Sequence, residues 1–219
     1  MAFGKFANAG QTCIAPDYAF VHEQIYEAFK SEVRQAIQDF YGKDPLQSEA
    51  YGRIVNVSHF ERLKSYVPEA RVNEAELKIE PCLLDAPDPD SPVMQDEIFG
   101  PILPIYPYSK IEEVIAFINA RPKPLALYLF TTNRQLERQV LFETSSGGVC
   151  INDTLMHIAG TYLPFGGVGE SGMGSYHGYQ NFRTFSHERS VLRQTSLFDF
   201  KFRYPGAKNA EKILRFVFK

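Results

Sequence analysis

The sequence has no tryptophan and only three cysteines in 219 residues. These cysteines, Cys13, Cys82 and Cys150, are far apart along the chain and form no CxxC pair. Because an odd number leaves one thiol unpaired in any disulfide scheme, a disulfide-stabilised secreted domain is not expected. This use of cysteine favours a reducing compartment.

Long apolar runs are also absent. The longest, near 125–130, has the length of a strand and falls short of the roughly 20 residues that a membrane-spanning helix needs. Lys5, Asn8 and Gln11 interrupt the N-terminal stretch in which a secretory signal would be continuously apolar. We therefore expect a cytoplasmic protein.

The chain carries little net charge, −3 at pH 7. Without a global excess of Lys and Arg there is no basic field to hold a phosphate backbone, so a nucleic-acid partner is not expected. His, Cys, Asp and Glu residues show no metal-ligand spacing, so we expect no metal site.

The apolar pattern predicts an α/β protein. With 44% hydrophobic residues, the chain is long enough for one substantial domain and an appendage. Strands are expected at 18–21, 77–84, 102–106, 125–130 and 148–151, and helices at 24–40, 58–67, 109–119 and 133–142. Apolar strands that alternate with helices indicate a doubly wound, mostly parallel sheet with reactive groups at the carboxyl ends of its strands.

Two local signals refine these elements. Ser58 is the expected N-cap of the second helix, and Glu61 three residues later completes a capping box. Pro81 lies in the middle of the strand expected at 77–84, where it predicts an edge or a break because proline cannot donate to the sheet.

Cys13 is the candidate nucleophile. It lies between Gly10 and Pro16 among small and polar residues, which predicts a turn that lets the sulfur face a cleft. A small buried thiol is the alternative, since free cysteine is among the most buried residue types. A cysteine thiolate is intrinsically nucleophilic and can attack a carbonyl carbon.

The segment Asn8 to Cys13 resembles the active-site cysteine segment of the aldehyde dehydrogenases, and Ala15-Pro16-Asp17-Tyr18 narrows the resemblance to their class 3 branch. Further matches follow in the family's order, so that the resemblance covers the chain from Phe3 to about Arg189. These matches are Tyr51-Gly52-Arg53-Ile54, Met94 to Pro101, Pro124 to Tyr128, Thr144 to Gly148, Leu163 to Gly169 and Ser186-His187.

The resemblance implies an aldehyde dehydrogenase catalytic domain over 1–181, followed by a bridging strand and tail over 182–219. Family members carry a dinucleotide-binding (Rossmann) half before the cysteine, and this sequence has none there. We therefore expect either a truncated chain or a naturally divided protein. Its partner would be a second copy, in a homo-oligomer, or an N-terminal cofactor-binding half.

By the same resemblance, the whole enzyme oxidises aldehydes to carboxylates with NAD or NADP. Cys13 is the implied nucleophile, forming a thiohemiacetal and then a thioester. Glu97 is assigned to the nicotinamide-ribose hydroxyls, Phe99 to the nicotinamide side of the cofactor site, and Phe165 to the substrate wall. The family's base glutamate and oxyanion asparagine precede the cysteine and have no counterpart here, so the chain alone is expected to be inactive.

A glycine-rich segment, Gly167 to Gly172, spells GxGxxG. A dinucleotide-binding turn needs a strand before this pattern and an apolar helix after it. Here Pro164 and Gly166 precede the pattern and more glycines follow it. We therefore expect an irregular wall of the cleft rather than a phosphate site.

Two alternative functions stay open at this stage. The first is a noncatalytic partner that joins full-length subunits through the strand expected over 182–192, whose edge would seek another sheet. The second is a cysteine hydrolase acting on esters, in which a histidine lies beside Cys13. The candidates for this partner are His157, His177 and His187, which fall in loop or cleft-wall sequence.

The tail from Arg193 is aromatic and basic. A helix over 210–219 would place Ile213, Leu214, Val217 and Phe218 on one face. So short a helix binds anionic lipid only marginally, so packing on the core is favoured over contact with a membrane surface.

We predict that the chain self-associates through the segment 182–192, because an unpaired strand edge and apolar surface left uncovered favour association. Size-exclusion chromatography with light scattering over a range of protein concentrations tests this. A species that stays monomeric at high concentration would contradict it.

Overall fold

The structure, a computed structural model, describes residues 1–217. The helices are α1 (Ala2–Phe6), α2 (Tyr26–Tyr41), α3 (Val57–Tyr66), α4 (Ile111–Asn119), α5 (Arg134–Glu143), α6 (Gly178–Thr184) and α7 (Ala210–Val217). The strands are β1 (Ala19–His22), β2 (Val72–Asn73), β3 (Lys78–Ile79), β4 (Cys82–Asp85), β5 (Ile102–Tyr108), β6 (Ala126–Leu129) and β7 (Gly148–Ile151).

The α/β fold with parallel strands is confirmed, and the strands divide among separate sheets. Strand β5 is the centre of a three-stranded parallel sheet with the order β1-β5-β4. Strands β6 and β7 form a second parallel pair, while β2 and β3 form a short antiparallel hairpin. The alternation of strands and helices predicted the parallel direction, but it does not specify which strands are hydrogen-bonded neighbours.

Strand β5 is buried on both faces, as a parallel strand covered by helices should be. Its residue Ile102 packs into a cluster with Phe60 and Leu63 of α3. The next residue, Leu103, points to the opposite face and packs with Val33 of α2. A third, smaller cluster lies between β6, β7 and helices α4 and α5.

Helix α2 buries less of its expected apolar stripe than the sequence suggested. Val33 and Ile37 are buried, whereas Ile25 and Phe40 at the ends of the stripe are largely exposed. The break expected at Pro81 is confirmed, because this residue separates β3 from β4.

The N-cap of α3 is Asn56, and the expectation of Ser58 with a capping box is wrong. The Asn56 side chain accepts a hydrogen bond of 2.8 Å from the His59 N–H, and its extended backbone (φ −158°) is that of a residue just before a helix. Ser58 lies inside the first helical turn and is exposed.

The chain divides into two compact units, residues 1–185 and a unit that begins at Ser186. The boundary expected at 181/182 falls inside α6. The strand expected over 182–192 is not formed, since α6 includes its first residues and 185–192 lie outside any helix or strand. A strand that would pair only with another subunit has no backbone partners in a single chain.

In the second unit, α7 confirms a helix in the tail, with Phe216 exposed. Phe218 and Lys219, which the tail helix was expected to include, lie outside the described residues. No helix between residues 1 and 217 combines the length and the apolar character needed to cross a membrane.

The corrected N-cap gives a direct test. We expect Asn56→Ala to lower the free energy of unfolding by about 1 kcal/mol, because it leaves an N-terminal amide of α3 without its partner. The matched variant Ser58→Ala should change it by less than about 0.5 kcal/mol, as is usual for exposed sites. Urea denaturation measures both, and a larger loss for Ser58→Ala would restore Ser58 as the cap.

Candidate active site

Cys13 is exposed on the connection between α1 and β1, so the turn predicted for it is present. The turn is closed by a hydrogen bond of 3.0 Å from the Ala15 N–H to the Thr12 carbonyl. Ile14 next to the cysteine is buried and anchors the turn in the core. Within residues 1–217, neither the Cys13 sulfur nor its N–H takes part in a hydrogen bond, so both are available to a ligand.

The backbone before the cysteine is left-handed at three successive residues. Asn8, Ala9 and Gly10 have φ values of 51°, 52° and 75°. Asparagine and glycine tolerate this region, whereas alanine adopts it at an energetic cost. A side chain at Gly10 would collide with the Gly100 carbonyl, so these two glycines bring the cysteine loop and the loop after Phe99 into backbone contact.

The buried amide of Gln11 holds this unusual backbone in place. Its Nε2 donates to the carbonyls of Asn8 (3.1 Å) and Arg53 (2.9 Å), and its Oε1 accepts from the Val55 N–H (2.9 Å). The segment around Arg53, which the sequence comparison with the family had matched without a role, is therefore a support for the cysteine loop.

Tyr128 of β6 ties the cysteine loop to the turn after β7. Its hydroxyl donates to the Ile14 carbonyl at 2.7 Å and accepts from the Leu155 N–H at 3.3 Å. Burial raises the pKa of Tyr128 to about 12, so the hydroxyl keeps its proton and remains a donor at neutral pH. Sequence reasoning gave Tyr128 no role; a tyrosine within an apolar strand was the available signal.

Glu97 and Phe99 lie on a loop whose backbone carbonyl groups accept hydrogen bonds from side chains of helix α3. The Arg62 guanidinium donates to the Ile98 carbonyl at 2.7 Å and to the Glu97 carbonyl at 3.3 Å. The His59 ring nitrogen Nε2 is 2.7 Å from the Phe99 carbonyl oxygen. The backbone is thus fixed.

The Glu97 residue itself stays exposed. Partial burial and then the nearby Asp17 carboxylate raise the pKa of Glu97, while Arg62 and Lys5 oppose the shift. The exposed carboxylate is free to accept hydrogen bonds from an external ligand.

Lys5 is a residue that sequence reasoning missed, since it served there only as an interruption of an apolar stretch. Its side chain is fully buried in α1, with Nζ 3.9 Å from Asp17 Oδ1. Burial lowers the pKa of Lys5 to about 8, against the attraction of Asp17 and Glu97. Asp17 also accepts the Ile98 N–H at 3.2 Å.

Phe165 is buried in the glycine-rich wall. Its ring packs edge-on against Tyr176 at 5.5 Å and lies 5.8 Å from the ring of His157. Both ring nitrogens of His157 are buried without a partner within residues 1–217, and burial lowers its pKa. The GxGxxG segment of this wall forms one short turn, Gly169–Ser171, without the helix of a dinucleotide site.

The predicted site residues therefore form two groups that meet at the cysteine loop. On one side the loop contacts Tyr128, whose ring packs on His157, which in turn packs on Phe165. On the other side the contact between Gly10 and Gly100 brings in the loop of Glu97 and Phe99. Residues 1–217 contain no hydrogen bond between Cys13 and a histidine.

Comparison with known proteins identifies a family. The aldehyde dehydrogenase family profile matches residues 1–191. The chain is 48% identical to the 4,4'-diaponeurosporen-aldehyde dehydrogenase of Staphylococcus aureus over its whole length, covering 50% of that protein. It is 47% identical to the dimeric NADP-preferring aldehyde dehydrogenase of Rattus norvegicus, with 94% of this chain and 47% of that protein covered.

The solved structures to which this chain is similar are also aldehyde dehydrogenases. The substrate-bound Staphylococcus aureus AldH superposes on 100% of this chain with a TM-score of 0.85 at 47% identity, and the match covers 49% of that chain. The NAD-dependent aldehyde dehydrogenase of Sinorhizobium meliloti gives a TM-score of 0.78 at 27% identity, covering 90% of this chain and 42% of the other. The chain thus spans about half the length of these relatives.

We predict that iodoacetamide modifies Cys13 faster than the other two cysteines. Cys13 is exposed, whereas Cys82 and Cys150 lie in strands, and burial raises the pKa of Cys82 to about 12 and that of Cys150 above its usual range. Timed labelling with peptide mapping measures the three rates. Labelling in urea is the control, since unfolding should equalise them; equal rates in the folded protein would contradict the prediction.

Proposed function

Because the chain belongs to the aldehyde dehydrogenase family, we propose that it is the catalytic half of a class 3 enzyme that oxidises aldehydes to carboxylates. The observation that carries this proposal is the exposed, unbonded thiol of Cys13 on a loop fixed by Gln11 and Tyr128. A fixed nucleophile with an open approach is what covalent catalysis requires.

The residues of the chain perform the first chemical step. The Cys13 thiolate forms a bond to the carbonyl carbon of the aldehyde, and the carbonyl electron pair moves to oxygen to give a thiohemiacetal. The N–H of Cys13, which donates to no protein acceptor within residues 1–217, supports a role in holding this oxyanion.

The side chains on the neighbouring loop fit a nicotinamide dinucleotide. The exposed carboxylate of Glu97 can accept two hydroxyl hydrogen bonds, as a ribose diol offers, and Phe99 beside it supplies apolar surface. Bound NAD or NADP would supply the acceptor for the hydride whose loss turns the thiohemiacetal on Cys13 into a thioester. Glu97 and Phe99 hold and orient this group.

The substrate that we propose is an apolar aldehyde. Phe165, Tyr176 and a neutral His157 make the wall on the Tyr128 side of the cysteine loop largely aromatic. Phe165 is itself buried, so it supports the substrate surface by packing from behind.

A second role, as an oligomerisation partner of aldehyde dehydrogenase subunits, has support from exposed apolar side chains. Phe182 and Phe185 at the end of the first unit are 65% and 88% exposed, and Val191 and Leu192 in the second unit are also exposed. Exposed apolar patches of this kind mark surfaces that another chain covers. Such assembly is compatible with the catalytic proposal.

We expect the 219-residue chain alone to bind neither NAD nor NADP with useful affinity and to show no sustained turnover. Two charge-assisted hydrogen bonds from ribose hydroxyls to the Glu97 carboxylate contribute about 1.5–3 kcal/mol each, short of the ~8 kcal/mol of micromolar binding once association costs are met. Addition of a separately expressed N-terminal half of a relative should restore both binding and activity.

Calorimetric titration and an aldehyde-dependent NAD(P)H assay test this expectation. In the mixture, Glu97→Gln should weaken dinucleotide binding, whereas Cys13→Ser should abolish turnover and leave binding intact. Micromolar dinucleotide binding by the chain alone would refute the expectation and return attention to the GxGxxG segment.

A further inference from the structure

A fully buried lysine without a hydrogen-bond partner needs a physical explanation. Lys5 has 0% exposed side-chain surface, and its Nζ has no hydrogen-bond partner within residues 1–217. Burying a charged amine is costly unless an opposite charge lies nearby. The nearest is Asp17, whose Oδ1 is 3.9 Å from the Lys5 Nζ.

Asp17 connects this ammonium group to the loop of Glu97. Its Oδ1 atom faces Lys5 and also accepts the Ile98 N–H at 3.2 Å. Ile98 lies between Glu97 and Phe99 in sequence, and its side chain is buried. The ion pair is therefore hydrogen-bonded to the backbone between the two residues that we assign to the cofactor.

The surrounding charges come from four segments of the chain. Lys5 lies on α1, Asp17 on the connection to β1, Glu97 on its own loop, and Arg62 on α3. The charges of Asp17 and Glu97 both raise the pKa of Lys5, and the charge of Arg62 lowers the pKa of both carboxylates. The two cations and two carboxylates form a balanced cluster, in which loss of one charge leaves the others incompletely compensated.

We propose that the buried Lys5 and the partly exposed Asp17 form an ion pair that positions Glu97 and Phe99 for a nicotinamide dinucleotide. The inference rests on the proposed function. Lys5 touches neither cofactor nor substrate in this scheme; it fixes the charge of Asp17, which holds the Ile98 N–H. Arg62 donates to the Ile98 carbonyl, so both the N–H and the carbonyl of Ile98 are hydrogen-bonded to charged side chains.

Selective isotope labelling of isoleucine allows the Ile98 amide resonance to be followed against pH. In the wild-type chain we expect one transition centred at about pH 8, where Lys5 loses its proton. Lys5→Met should abolish this transition. Asp17→Asn keeps an oxygen acceptor for the Ile98 N–H but should move the midpoint below pH 8, because the carboxylate that stabilises the ammonium ion is gone.

Lys64→Met is the matched control. It removes a lysine of α3 that pairs at the surface with Glu74, so the Ile98 transition should be unchanged. A transition near pH 8 that persists in Lys5→Met, or one that Asp17→Asn leaves unmoved, would overturn the ion pair. The aspartate variant keeps the test decisive even if Lys5→Met fails to fold.

The positioning role has its own readout in the chain mixed with an N-terminal half. Lys5→Met should weaken dinucleotide binding by about tenfold, the scale of one charge-assisted hydrogen bond, with the alkylation rate of Cys13 unchanged. Unaltered binding would overturn the positioning role while the ion pair stands. If the wild-type mixture binds no dinucleotide, the proposed function fails instead, whatever the Ile98 resonance shows.

Discussion

The conformation of the cysteine loop depends on one side-chain amide. Asn8, Ala9 and Gly10 occupy a region of backbone space that most residues avoid, and local preferences alone would not keep them there. Gln11 supplies three hydrogen bonds that link this stretch to the segment of Arg53 and Val55. Because the amide is buried, a lost partner is not replaced by water, so the loop has one favoured arrangement.

This constraint explains how distant parts of the chain contribute to one site. The rigid loop presents Cys13 outward, places Gly10 against Gly100, and leaves the Ile14 carbonyl for Tyr128. Strand β5 packs its opposite faces into two separate cores. Cys13 and the loop of Glu97 and Phe99 can therefore be held in fixed relative positions although neither lies on a regular element.

Local pattern predicted most strands and helices, the turn at Cys13 and the break at Pro81, because each depends on neighbours in sequence. It failed where two residues could serve equally well, as with Asn56 and Ser58 at the start of α3. It could not reveal the burial of Lys5 or the bond between Tyr128 and Ile14, which lie 114 residues apart. The roles of Cys13, Glu97, Phe99 and Phe165 came from family resemblance and rest on the experiments described.

The two hydrogen bonds of the Tyr128 hydroxyl have a mechanical consequence. One oxygen atom serves both the cysteine loop and the turn at Leu155, whose positive φ of 65° is unfavourable for a leucine. A fluctuation that moves the turn at Leu155 therefore also disturbs the hydrogen bond that anchors Ile14, the residue next to Cys13. The motions of these two segments are thus coupled through a single oxygen atom.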